Sequence, residues 1–339
     1  MKTCRVTLPA LAVLAITIPS GSAQKINAAG ATFPMPMYQK WFKEWSQTHK
    51  GVEINYPGGG SGAGVKQLTE GTVDFAASDP PLKDDQIAGF KVKPLHFPTL
   101  LGAVVLTYNI PGYNGKLKFA PNVIAGIFMG GIKYWDDKAI LADNPGIKLP
   151  HDEIVPVHRS DASGTTAVFT DYLSKVSPAF KSKVGADTRV KWPAEGLNGN
   201  GNPGVAGLVK ETPDALGYVE LTYAVQNKMP YADVKNSSGN WITPSNASVT
   251  AAAASEAKKM PADFRVFITN ASGKDAYPIS TFTYMLIPTK FADPAKGKVM
   301  KEFLKWMLND GQKEVEALDY APLPKEVVAR EEKQLAMVQ

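Results

Sequence analysis

Three times this chain passes through a turn of small residues into a helical pattern, twice directly after a strand-like run. Strand, glycine loop and helix in that order form the architecture of an anion cradle. The first passage runs from Ile26 through Gly30, Ala31, Thr32, Phe33 and Pro34 into Met37, Tyr38, Trp41, Phe42 and Trp45, which keep helical spacing. The second follows a strand predicted over 52–56. A glycine loop at 57–64 leads into a helix through Val65 and Leu68 that stops at Gly71. The third follows the run 154–157. Residues 158–166 lead into Val168, Phe169, Tyr172 and Leu173, which share one helix face.

Each passage ends where a helix begins, and there the first backbone N–H groups have no partner inside the helix. Small residues and hydroxyls let an anion approach those groups, and the helix dipole favours its charge. Ser163, Gly164 and Thr165 sit at such a start. So do Thr32 and Phe33, where Pro34 and Pro36 suit the first turn. Arg159 adds a planar fork of donors suited to phosphate or carboxylate, and Asp161 can pair with it and hold the fork still. An ordinary N-cap with a surface salt bridge accounts for the third stretch equally well when it is taken alone. The glycine loop is a backbone cradle without the Lys-Ser/Thr ending of a nucleotide-binding loop. Ala63 in the last position rules out a Gly-x-Ser-x-Gly nucleophile elbow. Residues 72–82 read as a strand alternating Val73, Phe75 and Ala77, then a turn. Asp79 falls at the strand's carboxyl end, where open α/β sheets bind ligands.

The first 23 residues stand apart. Lys2 and Arg5 precede an apolar run at 8–18, and Gly21-Ser22-Ala23 offers small residues for cleavage, so 1–23 is expected to be a secretory signal peptide. Cys4 is the only cysteine and lies before the apolar run, which is the wrong place for a lipoprotein anchor. The mature protein is therefore expected to be periplasmic, without disulfides or thiolate chemistry. Losing Lys2 and Arg5 takes the formal net charge from +5 to +3, too weak a bias for a nucleic-acid footprint. His49, His96, His151 and His158 show no metal-binding spacing, and no metal or cofactor is expected.

Elsewhere, apolar β-rich runs at 98–110 and 277–287 read as strands crossing out to a second lobe and back. Residues 192–204 read as a long glycine- and asparagine-rich loop, with a helix starting at Val205. Residues 236–262 read as a surface elaboration. The aromatic stripe from Tyr38 to Trp45 reads as core.

Taken in order, Gly30-Ala31-Thr32-Phe33-Pro34, Gly60-Ser61 with Gly64-Val65-Lys66-Gln67, Val73-Asp74-Phe75 with Ala77-Ser78-Asp79, Ile132-Lys133-x-Trp135-Asp136-Asp137, Arg159-x-Asp161-x-Ser163-Gly164-Thr165 and Leu318-Asp319-Tyr320-Ala321-x-Leu323-Pro324 span almost the whole mature chain. This set resembles the periplasmic phosphate-binding proteins of ABC phosphate importers. The resemblance implies a type II binding-protein fold, with two α/β lobes of mixed sheet flanked by helices and two crossing hinge strands. It places lobe I at 24–100 and 279–339 and lobe II at 101–278. It implies phosphate contacts at Thr32, Phe33, Ser61, Asp79, Arg159, Ser163, Gly164 and Thr165, with Asp161 steadying Arg159. It further implies a non-enzymatic monomer whose partners are inorganic phosphate and the importer's membrane permease subunits. Three positions depart from the family's usual pattern. The loop Gly59-Gly60-Ser61-Gly62-Ala63 lacks the second serine that is frequent beside the ligand serine, with Ala63 the departing residue, Pro80 stands where a small residue is common, and Ala162 where glycine is frequent. A secreted phosphatase and a binding protein for another oxyanion are the rival readings. The first lacks any histidine or lysine placed by motif as a general base.

Overall fold

The computed structural model describes residues 24–256 and 259–339, so the expected signal peptide at 1–23 lies outside the described residues. In chain order the strands are β1 (Gln24–Gly30), β2 (Val52–Asn55), β3 (Phe75–Ser78), β4 (Pro94–Asn109), β5 (Lys118–Phe119), β6 (Val155–Arg159), β7 (Leu197–Gly199), β8 (Ala215–Glu220), β9 (Asp233–Lys235), β10 (Trp241–Ile242) and β11 (Ser280–Pro288). Among the described residues, eight of them form one sheet in the order β2-β1-β3-β11-β4-β8-β6-β7, and β10-β9-β5 form a small side sheet.

The sheet has two halves with a shared spine. In the first half β1, β2 and β3 run parallel and β11 pairs antiparallel with β3. In the second half β6, β7 and β8 run parallel. The 16-residue β4 belongs to both: its first part, to Ala103, pairs with β11, and Val104 onward pairs with β8. The chain leaves the first half along β4 and re-enters it at the start of β11, where Ser280 lies opposite Ala103. These are the two crossing strands expected from the apolar runs. Every residue of β4 except the last is buried, as a strand covered on both faces requires.

Helices cover both halves. Met37, Tyr38, Trp41, Phe42 and Trp45 of the helix Met35–Thr48 are all buried, so the aromatic stripe is core. β3 is buried at every residue and does not alternate in burial, because it lies between β1 and β11 inside the sheet. Two expectations are corrected. The stretch 192–204 is not one loop: it contains β7, and its helix begins at Gly201, four residues before Val205. Gly201 at φ +67° turns the chain and Pro203 fits the first helical turn. The alanine-rich part of 236–262 is not a surface elaboration. The helix Asn246–Glu256 buries Ser248, Val249, Ala252 and Ala253, and the Tyr277 amide donates to the Ser248 carbonyl.

Candidate binding site

The predicted site residues reach one place because the elements that carry them end there. Thr32 and Phe33 follow β1 and precede the helix Met35–Thr48. Ser61 is the first residue of the helix Ser61–Glu70. Asp79 follows β3 at its carboxyl end. Arg159 ends β6, and Ser163 caps the helix Gly164–Val176, its hydroxyl accepting from the Thr166 amide at 3.0 Å. Thr32, Ser61, Asp79, Arg159, Ser163 and Thr165 are all buried, with Asp79 1% exposed and Arg159 6%.

Two groups of contacts meet at Gly164-Thr165. In the first, the Arg159 fork is held by both oxygens of Asp161, Nε to Oδ1 at 2.8 Å and one terminal nitrogen to Oδ2 at 2.6 Å. Its other terminal nitrogen donates to the Thr165 hydroxyl at 3.2 Å, and the nitrogen shared with Asp161 reaches the Thr32 hydroxyl at 3.4 Å. In the second, Ser61 Oγ lies 3.2 Å from the Asp79 amide and 3.5 Å from its carboxylate, while the Thr283 hydroxyl donates to Asp79 Oδ1 at 2.8 Å. Gly164 abuts this pair so closely that a Cβ there would lie 2.2 Å from both Asp79 Oδ2 and Ser61 Oγ. Only glycine allows that approach. Among the described residues, the buried backbone N–H groups of Phe33, Ser61, Gly164 and Thr165 have no hydrogen-bond acceptor. Buried N–H groups left without a partner are rare.

The halves touch across this region. The Gly62 amide donates to the Ala162 carbonyl at 2.9 Å, and Tyr223 Oη donates to the Thr32 carbonyl at 2.5 Å. A Cβ at Gly62 would come within 2.4 Å of the Ala162 methyl. The side chain missing at Gly62 therefore leaves room for the methyl of Ala162. A cavity of about 440 Å³ opens alongside, sharing only Ser61 and Gly62 with the site.

Electrostatics separates the two acids. Burial drives Asp79 up to about 7, against the pull of the Thr283 hydrogen bond and the Arg159 charge. Burial also acts upward on Asp161, but its hydrogen bonds to and charge attraction with Arg159 hold it below the usual carboxylate range. His96 accepts from the Leu82 amide, and His158 stacks on Trp192; burial holds both down to about 4. Among the described residues no group of three or more metal-ligating side chains assembles, and no helix is long and apolar enough to cross a membrane.

The sequence reading missed Asn202, Thr283 and Tyr223. Asn202 is fully buried, and its side-chain amide donates to the hydroxyls of both Thr32 and Thr165 at 3.0 Å. Pro203 was the available signal, since a proline there marks a helix start that brings Asn202 into the first turn. Nothing local marked Thr283 inside β11 or Tyr223 after β8.

Residues 17–311 match the family described as the PBP superfamily domain. The phosphate-binding protein PstS of Methanocaldococcus jannaschii is 43% identical over 89% of this chain and 83% of its own length. That of Xylella fastidiosa is 42% identical over 90% and 83%. The crystal structure of a phosphate-binding protein from Stenotrophomonas maltophilia superposes with a TM-score of 0.70 at 18% identity, covering 92% of this chain and 94% of that one. A high-affinity periplasmic phosphate-binding protein solved with phosphate bound superposes at 0.71 and 21% identity, covering 90% and 92%. At those identities the two structures establish the fold: two lobes, mixed sheets and flanking helices.

Proposed function

The chain belongs to the PBP superfamily and, within it, to the PstS family of phosphate-binding proteins; from that premise we propose that it captures inorganic phosphate outside the cytoplasm and delivers it to an ABC-type importer. The observation that carries the proposal is the set of buried N–H groups at Phe33, Ser61, Gly164 and Thr165 without an acceptor among the described residues, on helix starts where the Thr32 and Thr165 hydroxyls meet Arg159 and where Ser61 and Gly164 abut Asp79. Such a set answers a small anion rich in acceptor oxygens. In this reading Thr32, Phe33, Ser61, Asp79, Arg159, Ser163, Gly164 and Thr165 contact the phosphate, and Asp161 keeps the guanidinium fork in plane. Lobe I comprises 24–100 and 279–339, and lobe II 101–278. The protein works as a monomer in the periplasm after its leader is removed. Its second partner is the importer's permease.

Selectivity follows from proton counting. Phosphate at neutral pH still carries a proton, and an ionised Asp79 accepts it. Sulfate carries none, so the same carboxylate faces it oxygen to oxygen. A buried polar group left unpaired costs about 1–3 kcal/mol, and a charged one more. A site built on such bonds discriminates by orders of magnitude. Asp79→Asn is expected to lose much of the discrimination against sulfate at pH 8, measured by competition titration. A variant that rejects sulfate as strongly as the wild type would refute the role given to Asp79. Binding proceeds without turnover: a chromogenic phosphate ester incubated with the protein is expected to stay intact, and its hydrolysis would contradict the proposal.

A further inference from the structure

We propose that Asn202 is a positioning residue that makes the Thr32 and Thr165 hydroxyls obligate donors toward the bound anion. The inference rests on the phosphate reading above and extends it to a residue outside the contact set. A threonine hydroxyl has one proton and two lone pairs. The Thr165 oxygen accepts from Asn202 Nδ2 at 3.0 Å and from Arg159 at 3.2 Å, which fills both pairs. The Thr32 oxygen accepts from the Asn202 backbone amide and from Nδ2, each at 3.0 Å, with Arg159 more distant at 3.4 Å. Each hydroxyl is left with its proton alone, and among the described residues neither has an acceptor for it. The amide of Asn202 cannot turn over to relieve this. Its oxygen takes the Glu220 amide at 2.9 Å, and its two N–H bonds go to the two threonines.

The arrangement removes Thr32 and Thr165 as acceptors of a ligand proton and leaves that role to Asp79 and to the Ser61 and Ser163 hydroxyls, each of which accepts one protein N–H. Phosphate with a single proton satisfies Asp79. Phosphate with two protons brings a second P–OH that finds no acceptor at Thr32 or Thr165. Asn202 thereby biases the site toward the dianion. The charged and titratable groups facing this network are Arg159, Asp161, Asp79, Glu220 and Tyr223. Asn202→Leu neither adds nor removes any of them, so the pH profile is read on that variant.

The test is titration calorimetry of the phosphate-stripped protein with inorganic phosphate between pH 5.5 and 8.5, on the wild type, Asn202→Leu and Asn202→Asp. Asn202→Asp keeps the shape and the Glu220 contact but reverses the polarity toward both threonines. It is expected to weaken binding at pH 8 by at least 100-fold. Asn202→Leu adds no titratable group and frees a lone pair on the Thr165 hydroxyl, while Thr32 still accepts from the backbone amide at 202 and from Arg159. It is expected to weaken binding about 30-fold at pH 8.5 and fivefold or less at pH 5.5, where the second phosphate proton finds an acceptor again. A loss in Asn202→Leu that is the same factor at every pH, or Asn202→Asp binding within threefold of wild type, would overturn the proposal. If either variant fails to fold, the other still decides by its own criterion. Wild type that binds no phosphate would instead sink the functional reading on which this rests.

Discussion

Asp79 carries a cost in the ligand-free protein that Asn would not. Burial raises its folded-state value to about 7, from 3.8 for an unperturbed side chain. Between those two values the folded protein holds a proton that the unfolded chain has released. Stability therefore declines as pH rises from about 4, and the full cost is present above about 7. Each pKa unit corresponds to about 1.36 kcal/mol, so the cost approaches about 4 kcal/mol at pH 8. Asn in the same place keeps an oxygen for the Thr283 hydroxyl, which now lies 2.8 Å from Asp79 Oδ1, and has no charge to bury. Asp79→Asn is thus expected to match wild type at pH 4 and to gain on it progressively, reaching up to about 4 kcal/mol at pH 8. For a chain of this size that is a rise of about 6 °C in Tm. Denaturant unfolding of phosphate-stripped protein at several pH values measures the difference. Stripping is essential, because bound phosphate would stabilise the wild type by mass action. A variant less stable than wild type at pH 8, or a difference that does not change with pH, would refute the reasoning.

Three further outcomes follow from the same geometry. Removing the partner of the buried Arg159 by Asp161→Ala should cost about 3 kcal/mol at pH 7. Because Asp161 is held low, that contribution is present above its unfolded value and is lost as pH falls through its folded one, so the penalty should fade in acid unfolding curves. Gly62→Ala would set a methyl against that of Ala162 and is expected to weaken phosphate binding at least tenfold, with Ala162→Gly in the same chain restoring most of it; calorimetric double-mutant cycles read the coupling. Sulfate binding to the wild type should strengthen as pH drops through about 7, because a protonated Asp79 can donate to it, and the dependence should vanish in Asp79→Asn.

How much of this was legible in the sequence depends on how local the signal is. Helix starts are local: the Gly/Ala/Thr/Pro turn before Met35, the glycine loop before Ser61 and the Ser-Gly-Thr run before Thr166 announced themselves by spacing and turn chemistry. They carried six of the eight proposed contacts. Arg159 and Asp161 lie two residues apart, so their pairing could be anticipated, and it is found. What was hidden is non-local. Thr283 reaches Asp79 only because β11 returns beside β3, and Tyr223 reaches Thr32 only because the second half of the sheet closes against the first. Asn202 was lost to a composition rule. Glycine and asparagine around it read as loop, whereas a glycine at positive φ and a proline in the first turn start a helix there. The match between Gly62 and Ala162 is of the same kind: the two lie a hundred residues apart, and only their contact shows that one makes room for the other.

The central claim is that a guanidinium and several bare helix-start amides grip a tetrahedral anion that must bring its own proton for Asp79. Calorimetric titration of the phosphate-stripped mature protein with phosphate and sulfate in parallel, at pH 8, tests it most directly. The account predicts one phosphate per chain, bound at least 1,000-fold more tightly than sulfate. Equal affinity for the two anions, or no heat from phosphate at all, would contradict it.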